Sequence, residues 1–126
     1  MHSLSWGWVG LGLLSLIFIA NALGTIDPRT AVRELAATGV PARLAGLAVL
    51  GGRLFQFVAV PGLFFTITRP FAALGLAAFL IPATLTAHAF WKSPSEKRDM
   101  QLAGFLKNAA IIGGLVLAAA WKGGPA

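Results

Sequence analysis

Four polar side chains lie within the long apolar stretches of this sequence and are its candidates for chemistry: Arg53, Gln56, Thr84 and His88. A helix places Arg53 and Gln56, three residues apart, on one face, and it does the same for Thr84 and His88, four residues apart. Guanidinium, amide, hydroxyl and imidazole groups can together hold the polar part of a ligand, such as a lipid headgroup. These four residues are therefore the candidates for an intramembrane polar pocket that binds a ligand.

The same residues also have a structural interpretation, which the sequence leaves open. Arg53 lies about ten residues beyond a polar segment, so its long side chain can extend towards water. Thr84 and His88 can satisfy each other through a hydrogen bond that points into a helix bundle. In either interpretation, an ionised side chain at membrane depth costs about 2.5–3.5 kcal/mol by insertion scales and must face a partner, a cavity or water.

The residues that the chain lacks exclude several kinds of site. It contains no cysteine, so it has no disulfide, no thiolate nucleophile and no cysteine ligand for an iron–sulfur cluster. It contains no tyrosine, and its two histidines, His2 and His88, give no support to a bis-histidine haem or a multi-histidine metal site. We expect no metal site and no catalytic constellation within the chain itself, which argues against an enzyme.

The composition indicates the environment in which these residues act. Of the 126 residues, 57% are hydrophobic and only 11% are charged, and the mean hydropathy is +0.80. Because a soluble domain has about 25% charged residues, we predict an integral membrane protein whose single membrane domain covers residues 1–126. The apolar runs are long enough for helices that cross a hydrocarbon core of about 30 Å. We predict an all-α fold, a four-helix transmembrane bundle with spans at about 4–23, 44–65, 71–91 and 105–121.

Two short amphipathic connectors are predicted between these spans. In residues 25–43, Asp27 is a plausible N-cap, Pro28 suits the first helical position, and Gly39 ends the segment. A short helix on the membrane surface fits this pattern. The second connector, residues 92–104, is polar and precedes the last span, and its Ser93-Pro94-Ser95-Glu96 sequence predicts a helix start capped by Ser93 or Ser95.

The net charge of +6 comes from basic residues that fall mostly between the apolar runs rather than in one basic tract, so we expect no nucleic-acid partner. Because cytoplasmic loops carry an excess of Lys and Arg, the distribution of basic residues predicts that both connectors lie in the cytoplasm and both termini outside. The opposite side receives Arg69, facing the headgroups, and Lys122. The basic residues assigned to the connectors are Arg29, Arg33, Arg43, Lys92, Lys97, Arg98 and Lys107.

Four stretches, taken in order, carry a resemblance to a known family. They are LSLIFIANAL at 14–23, ATGVPARLAGL at 37–47, TRPFAALGLAAFLIPATLTAHAFW at 68–91 and MQLAGFLKNAAIIGGLVLAAA at 100–120. In order and spacing they resemble the DoxX-like family of small four-helix bacterial membrane proteins, over most of the chain. The sequence departs from many relatives at Arg53, where they have a carboxylate after the glycine pair, and at 21–24, where they often have a Gly-x-x-Lys pattern.

The resemblance implies a four-helix bundle in a bacterial inner membrane, and an association with membrane redox systems. The family takes its name from subunits linked to thiosulfate:quinone oxidoreductase, and some members look like membrane anchors for oxidative-stress proteins. It therefore implies a quinone as the possible cofactor. Because this chain has no cysteine, sulfur or quinone chemistry would need a partner or a bound cofactor.

The favoured function is an accessory or scaffold subunit of a larger, redox-associated membrane complex, because the chain is small and has no catalytic constellation. The small-residue pairs Ala109/Gly113 and Ala110/Gly114 can pack within the bundle, against other membrane-protein subunits or against a second copy. The alternative is a quinone- or lipid-binding redox component that uses the four polar residues named above. A small transporter ranks last, since no acidic residue lies at mid-membrane to couple protons.

Overall fold

The computed structural model describes residues 2–23 and 28–123, and it describes their side chains except at 2–5 and 28. All regular secondary structure in these ranges is helical, which confirms the predicted all-α fold. The α-helices of the described residues are α1 (His2–Ala22), α2 (Pro28–Ala36), α3 (Ala42–Gly62), α4 (Arg69–Ala87) and α5 (Ser95–Ala120), and a 3₁₀ turn covers Phe90–Lys92.

Three of these helical segments are long and apolar enough to cross a membrane, as judged by length and composition. They are Ala42–Gly62, Arg69–Lys92 and Ser95–Ala120. The apolar part of α1 with described side chains, Trp6–Ala22, is shorter. These helices are compatible with the predicted membrane protein, and the fourth span stays a prediction.

The first connector forms the predicted short helix. α2 begins at Pro28, whose missing N–H would be unpaired at a helix start in any case. The chain leaves the helix at Gly39, which has a φ of +104°, a conformation that glycine adopts without strain. The proposed N-cap, Asp27, lies outside the described residues.

The second connector is mostly helical and contains the predicted helix start, although the N-cap residue is Pro94 and no serine side chain caps the helix. α5 starts at Ser95 and continues without a break for 26 residues, through the predicted start of the last span at 105. Glu96, Lys97, Arg98 and Gln101 in its first turns are good helix formers, so polarity alone does not end the helix. As a result, Lys107 lies within the body of α5 rather than in a connector.

The long helices pack in chain order: α1 on α3, α3 on α4, and α4 on α5. α2 packs against α3 and α4, while α5 approaches α1 only loosely. Ring contacts bring the start of α1 and the end of α5 together at Trp8 and Trp121, so these two helices run in opposite directions. The largest buried apolar side chains between the helices are Phe18, Leu63, Leu76 and Leu115.

Candidate functional site

Gln56 connects α1 to α3 through its side-chain amide. It is only 2% exposed, and its Nε2 donates to the carbonyl oxygen of Gly52 at 3.1 Å. Its Oε1 accepts a hydrogen bond from Nδ2 of Asn21 at 2.9 Å. Arg53 lies half-buried one turn before Gln56 on α3. Asn21, in the last turn of α1, is therefore used in an interhelical contact.

Thr84 and His88 do not form the hydrogen-bonded pair that their spacing suggested. Thr84 Oγ1 accepts from Nδ2 of Asn108 at 3.0 Å, and His88 Nδ1 pairs with Oε1 of Gln101 at 2.9 Å. Both partners lie on α5, the helix that packs closely against α4. The hydrogen bond between Thr84 and His88 joins their backbones: His88 N donates to Thr84 O at 2.9 Å.

Gly104 allows the His88 ring to lie directly on α5. A Cβ atom at Gly104 would come within 2.5 Å of His88 Nδ1, closer than a packed side chain tolerates. Gln101, Gly104 and Asn108 are three and four residues apart, so they share one face of α5. That face accepts the polar side chains of α4.

The predicted site residues thus enter separate interhelical contacts. Gln56 binds a residue of α1, whereas Thr84 and His88 bind residues of α5. Thr84 also lines a small apolar cavity of about 130 Å³ beside Phe105. Binding of a quinone or lipid by Arg53, Gln56, Thr84 and His88 stays a prediction.

Sequence reasoning missed the partners Asn21, Gln101 and Asn108 as members of this polar set. Asn21 lies at the end of the first apolar run, where a position at the membrane interface was the simpler interpretation. Asn108 lies near the start of the last predicted span. Gln101 lies within the predicted second connector, residues 92–104. The spacing of Gln101 and Asn108 could have indicated a shared polar face, since seven residues are two helical turns and place both side chains on one side of the helix.

Arg69 is buried rather than facing the headgroups, which makes that expectation wrong. It is 0% exposed, and its Nε donates to the carbonyl oxygen of Leu63 at 2.6 Å. Its Nη1 donates to the carbonyl oxygen of Trp121 at 2.8 Å, while Nη2 has no hydrogen-bond partner among the described residues. The guanidinium lies 4.4 Å from the Trp121 ring centroid and 5.8 Å from that of Trp8.

Aromatic rings enclose this guanidinium, and we call the group Trp8, Phe64, Arg69 and Trp121 the Arg69 cluster. Trp8 stacks on Phe64 with centroids 6.0 Å apart and meets Trp121 edge-on at 5.4 Å. A cation against aromatic faces gains about 0.5–2 kcal/mol, more when water is excluded. The Arg69 cluster therefore joins the ends of α1, α3, α4 and α5.

Glu34 on α2 lies near His88, the residue that follows the end of α4. Burial raises the pKa of the Glu34 carboxyl above its ordinary value of 4.5, and the charge of His88 opposes part of this rise. The folded protein consequently holds a proton at Glu34 to higher pH than the unfolded chain does. The stabilisation from this proton is complete below the ordinary pKa and is lost as the pH rises through the raised one.

We expect Glu34→Gln to remove this pH dependence, because glutamine resembles the protonated acid and does not titrate. Thermal unfolding in a mild detergent from about pH 4 to about pH 8 checks it. The wild type should lose more stability than the variant as the pH rises. The matched control is Glu96→Gln, at an exposed carboxylate in the first turn of α5. Equal slopes for wild type and Glu34→Gln would contradict the assignment.

Among the described residues, no group of three or more His, Cys, Asp or Glu side chains is placed to hold a metal ion. The polar contacts of the helices are instead made by amides, a hydroxyl, an imidazole and a guanidinium. Such groups can hold helices together and can also bind a polar ligand. Comparisons with known proteins find no matching family model, no matching curated protein and no matching solved structure.

Proposed function

We propose that this chain is an integral membrane protein in which α1, α3, α4 and α5 form a four-helix transmembrane bundle in a bacterial inner membrane. Its 21-residue α1 extends about 31 Å, which is enough for a fourth span. Large apolar side chains point outward from different helices: Leu13 is 65% exposed, Phe57 63% and Leu117 75%. Soluble monomers seldom present such apolar surfaces, whereas lipid tails cover them without cost.

The proposed orientation places the connectors in the cytoplasm and both termini outside. Two of the basic residues used to predict the orientation are excluded by the structure: Arg69 is buried, and Lys107 lies within α5. The remaining connector cations are Arg29, Arg33, Arg43, Lys92, Lys97 and Arg98, against Lys122 at the other end. The connectors thus still carry more Lys and Arg residues than the other side, which favours their placement in the cytoplasm. A reporter fused after Ala126 that is active only in the cytoplasm would exclude this orientation.

Within the membrane, the proposed function is an accessory or scaffold subunit of a larger complex. The observation that carries it is the use of Gln56, Thr84 and His88 in hydrogen bonds to other helices. These groups join the helices of this chain to one another, which suits a structural subunit. The association of that complex with redox chemistry rests on the resemblance to the DoxX-like family.

Native mass spectrometry of the protein, extracted gently from its own membranes, tests this proposal. We expect a stoichiometric protein partner to remain bound. We also expect Gln56→Leu and His88→Ala to leave the partner's catalytic turnover near that of the wild type, because a scaffold supplies no reacting group. The control is Arg98→Gln, at an exposed residue of α5.

The alternative function predicts the opposite results in these two experiments. A quinone-binding redox component would retain a quinone-sized mass without a partner, and His88→Ala would remove both that mass and the turnover. This result would overturn the accessory function. A bare monomer from membranes solubilised in several mild detergents would also count against it.

A further inference from the structure

A groove of about 760 Å³ lies between α1 and α5 and opens to the surroundings. α5 packs extensively against α4 but only loosely against α1, and small residues on the facing surfaces leave space between them. A Cβ atom on Gly10 would meet nothing within 4 Å. Leu14 and Ile111 contribute apolar walls. The groove is therefore a gap in the packing that an apolar ligand can fill.

Of the described residues that line this groove, Lys107 alone carries a charge. Its side chain is exposed. Trp121, which also lines the groove, follows fourteen residues later, a distance of about 21 Å along a helix. A single cation thus stands at one end of a long apolar surface.

The position of Lys107 along α5 places it near a headgroup layer. If Trp121 marks one membrane interface, a hydrocarbon core of about 30 Å extends back some 20 residues, to the region of Gln101. Lys107 then lies about 9 Å inside the opposite boundary, where a lysine side chain can extend to the headgroups along apolar surface. The rest of the groove continues from there towards the centre of the membrane.

We propose that the groove binds an anionic phospholipid, with its phosphate on the Lys107 ammonium and one acyl chain between α1 and α5. One leaflet contributes about half of a 30 Å core, so an acyl chain that starts near Gln101 extends about 6 Å past Lys107, to the level of Ile111 in the groove. A volume of about 760 Å³ is also within the usual range for small-ligand sites. This inference rests on the membrane placement proposed above, but not on the presence of a protein partner.

Charge favours this lipid over a second copy of the chain. The chain's acidic residues are Asp27, Glu34, Glu96 and Asp99. The one nearest to Lys107 in sequence is Asp99, about 12 Å away along the helix. A second copy therefore brings no carboxylate from the apolar part of a helix to this cation. A phosphate at the headgroup layer supplies the missing negative charge.

The test is a titration of delipidated protein in mild detergent, followed by native mass spectrometry. The two probes are phosphatidylglycerol and phosphatidylcholine with identical acyl chains. We expect tighter binding of phosphatidylglycerol, and Lys107→Gln should lower its affinity about fivefold, the equivalent of about 1 kcal/mol per basic residue. Phosphatidylcholine binding should change little. Ala110→Leu, which fills the groove one turn beyond Lys107, should weaken binding of both lipids.

Two variants serve as matched controls. Lys97→Gln removes an exposed cation from the first turns of α5 outside the groove lining, and Ala103→Leu adds the same bulk at an exposed residue of α5 that does not line the groove. Both should bind phosphatidylglycerol like the wild type.

Equal affinity for the two lipids in the wild type would overturn the proposal, as would equal losses in Lys97→Gln and Lys107→Gln. A dimer or a bound helix that Ala110→Leu removes, with lipid binding unchanged, would assign the groove to a protein instead. Selective lipid binding without any protein partner would uphold this inference while the accessory function failed. Release of the protein from membranes by an alkaline wash would contradict the membrane placement itself.

Discussion

Arg69→Ala is expected to lower the free energy of unfolding by about 3 kcal/mol, because several buried contacts depend on one guanidinium. The carbonyl oxygens of Leu63 and Trp121 would lose their donors, and each buried group left unpaired costs about 1–3 kcal/mol. The substitution also leaves a cavity against Trp8 and Trp121. Thermal unfolding in mild detergent, followed by tryptophan fluorescence, measures the loss.

The buried charge of Arg69 opposes part of this stabilisation, because its Nη2 has no partner among the described residues. Arg69→Met separates the two effects by keeping much of the volume while removing the charge. We expect Arg69→Met to be less destabilising than Arg69→Ala. It should still be less stable than the exposed control Arg98→Ala, since the two carbonyls remain unpaired. Stability of Arg69→Met at or above that of the wild type would show that the charge costs more than its contacts contribute.

Gly7→Ala is expected to destabilise the protein by about 1–3 kcal/mol through overpacking. A Cβ atom there would overlap the Trp121 ring, with Cε2 at 2.5 Å and Cη2 at 2.6 Å. The ring cannot yield easily, because Trp8 contacts it edge-on and Arg69 lies over its face. The measurement is the unfolding temperature, with tryptophan emission as a report on the displaced ring.

Gly10→Ala on the same helix is the matched control. A Cβ atom at Gly10 meets nothing within 4 Å, so alanine should be neutral or stabilise α1 by up to about 1 kcal/mol through its higher helix propensity. Equal effects of the two glycine substitutions would contradict the role assigned to the contact between Gly7 and Trp121.

The two predicted losses should not add, since Gly7 and Arg69 act on the same indole ring. Once Arg69→Ala has released Trp121, the ring can move away from an added Cβ at Gly7, and the second substitution should cost less. Residues in contact commonly show coupling of about 0.5–3 kcal/mol in such cycles. Fully additive losses would indicate that the Arg69 cluster is not one packed unit.

The sequence was sufficient for the local features of this protein. Apolar runs of adequate length predicted long helices, and the all-α fold followed, because such runs cannot leave their backbone groups unpaired in an apolar environment. Proline at the first position of α2 and glycine after its end marked that helix correctly. These features depend on the conformational limits of single residues and on neighbours within a few positions along the chain.

The tertiary structure decided which polar residues meet. α1 and α4 are apolar around much of their circumference, so no hydrophobic face predicts which side points inward. The rotation of each helix is set by close approaches, such as that of Gly104 to the His88 ring. Those rotations pair His88 with Gln101 and Gln56 with Asn21. They also bury Arg69, because its neighbours Trp8 and Trp121 come from opposite ends of the chain and meet only in the folded molecule.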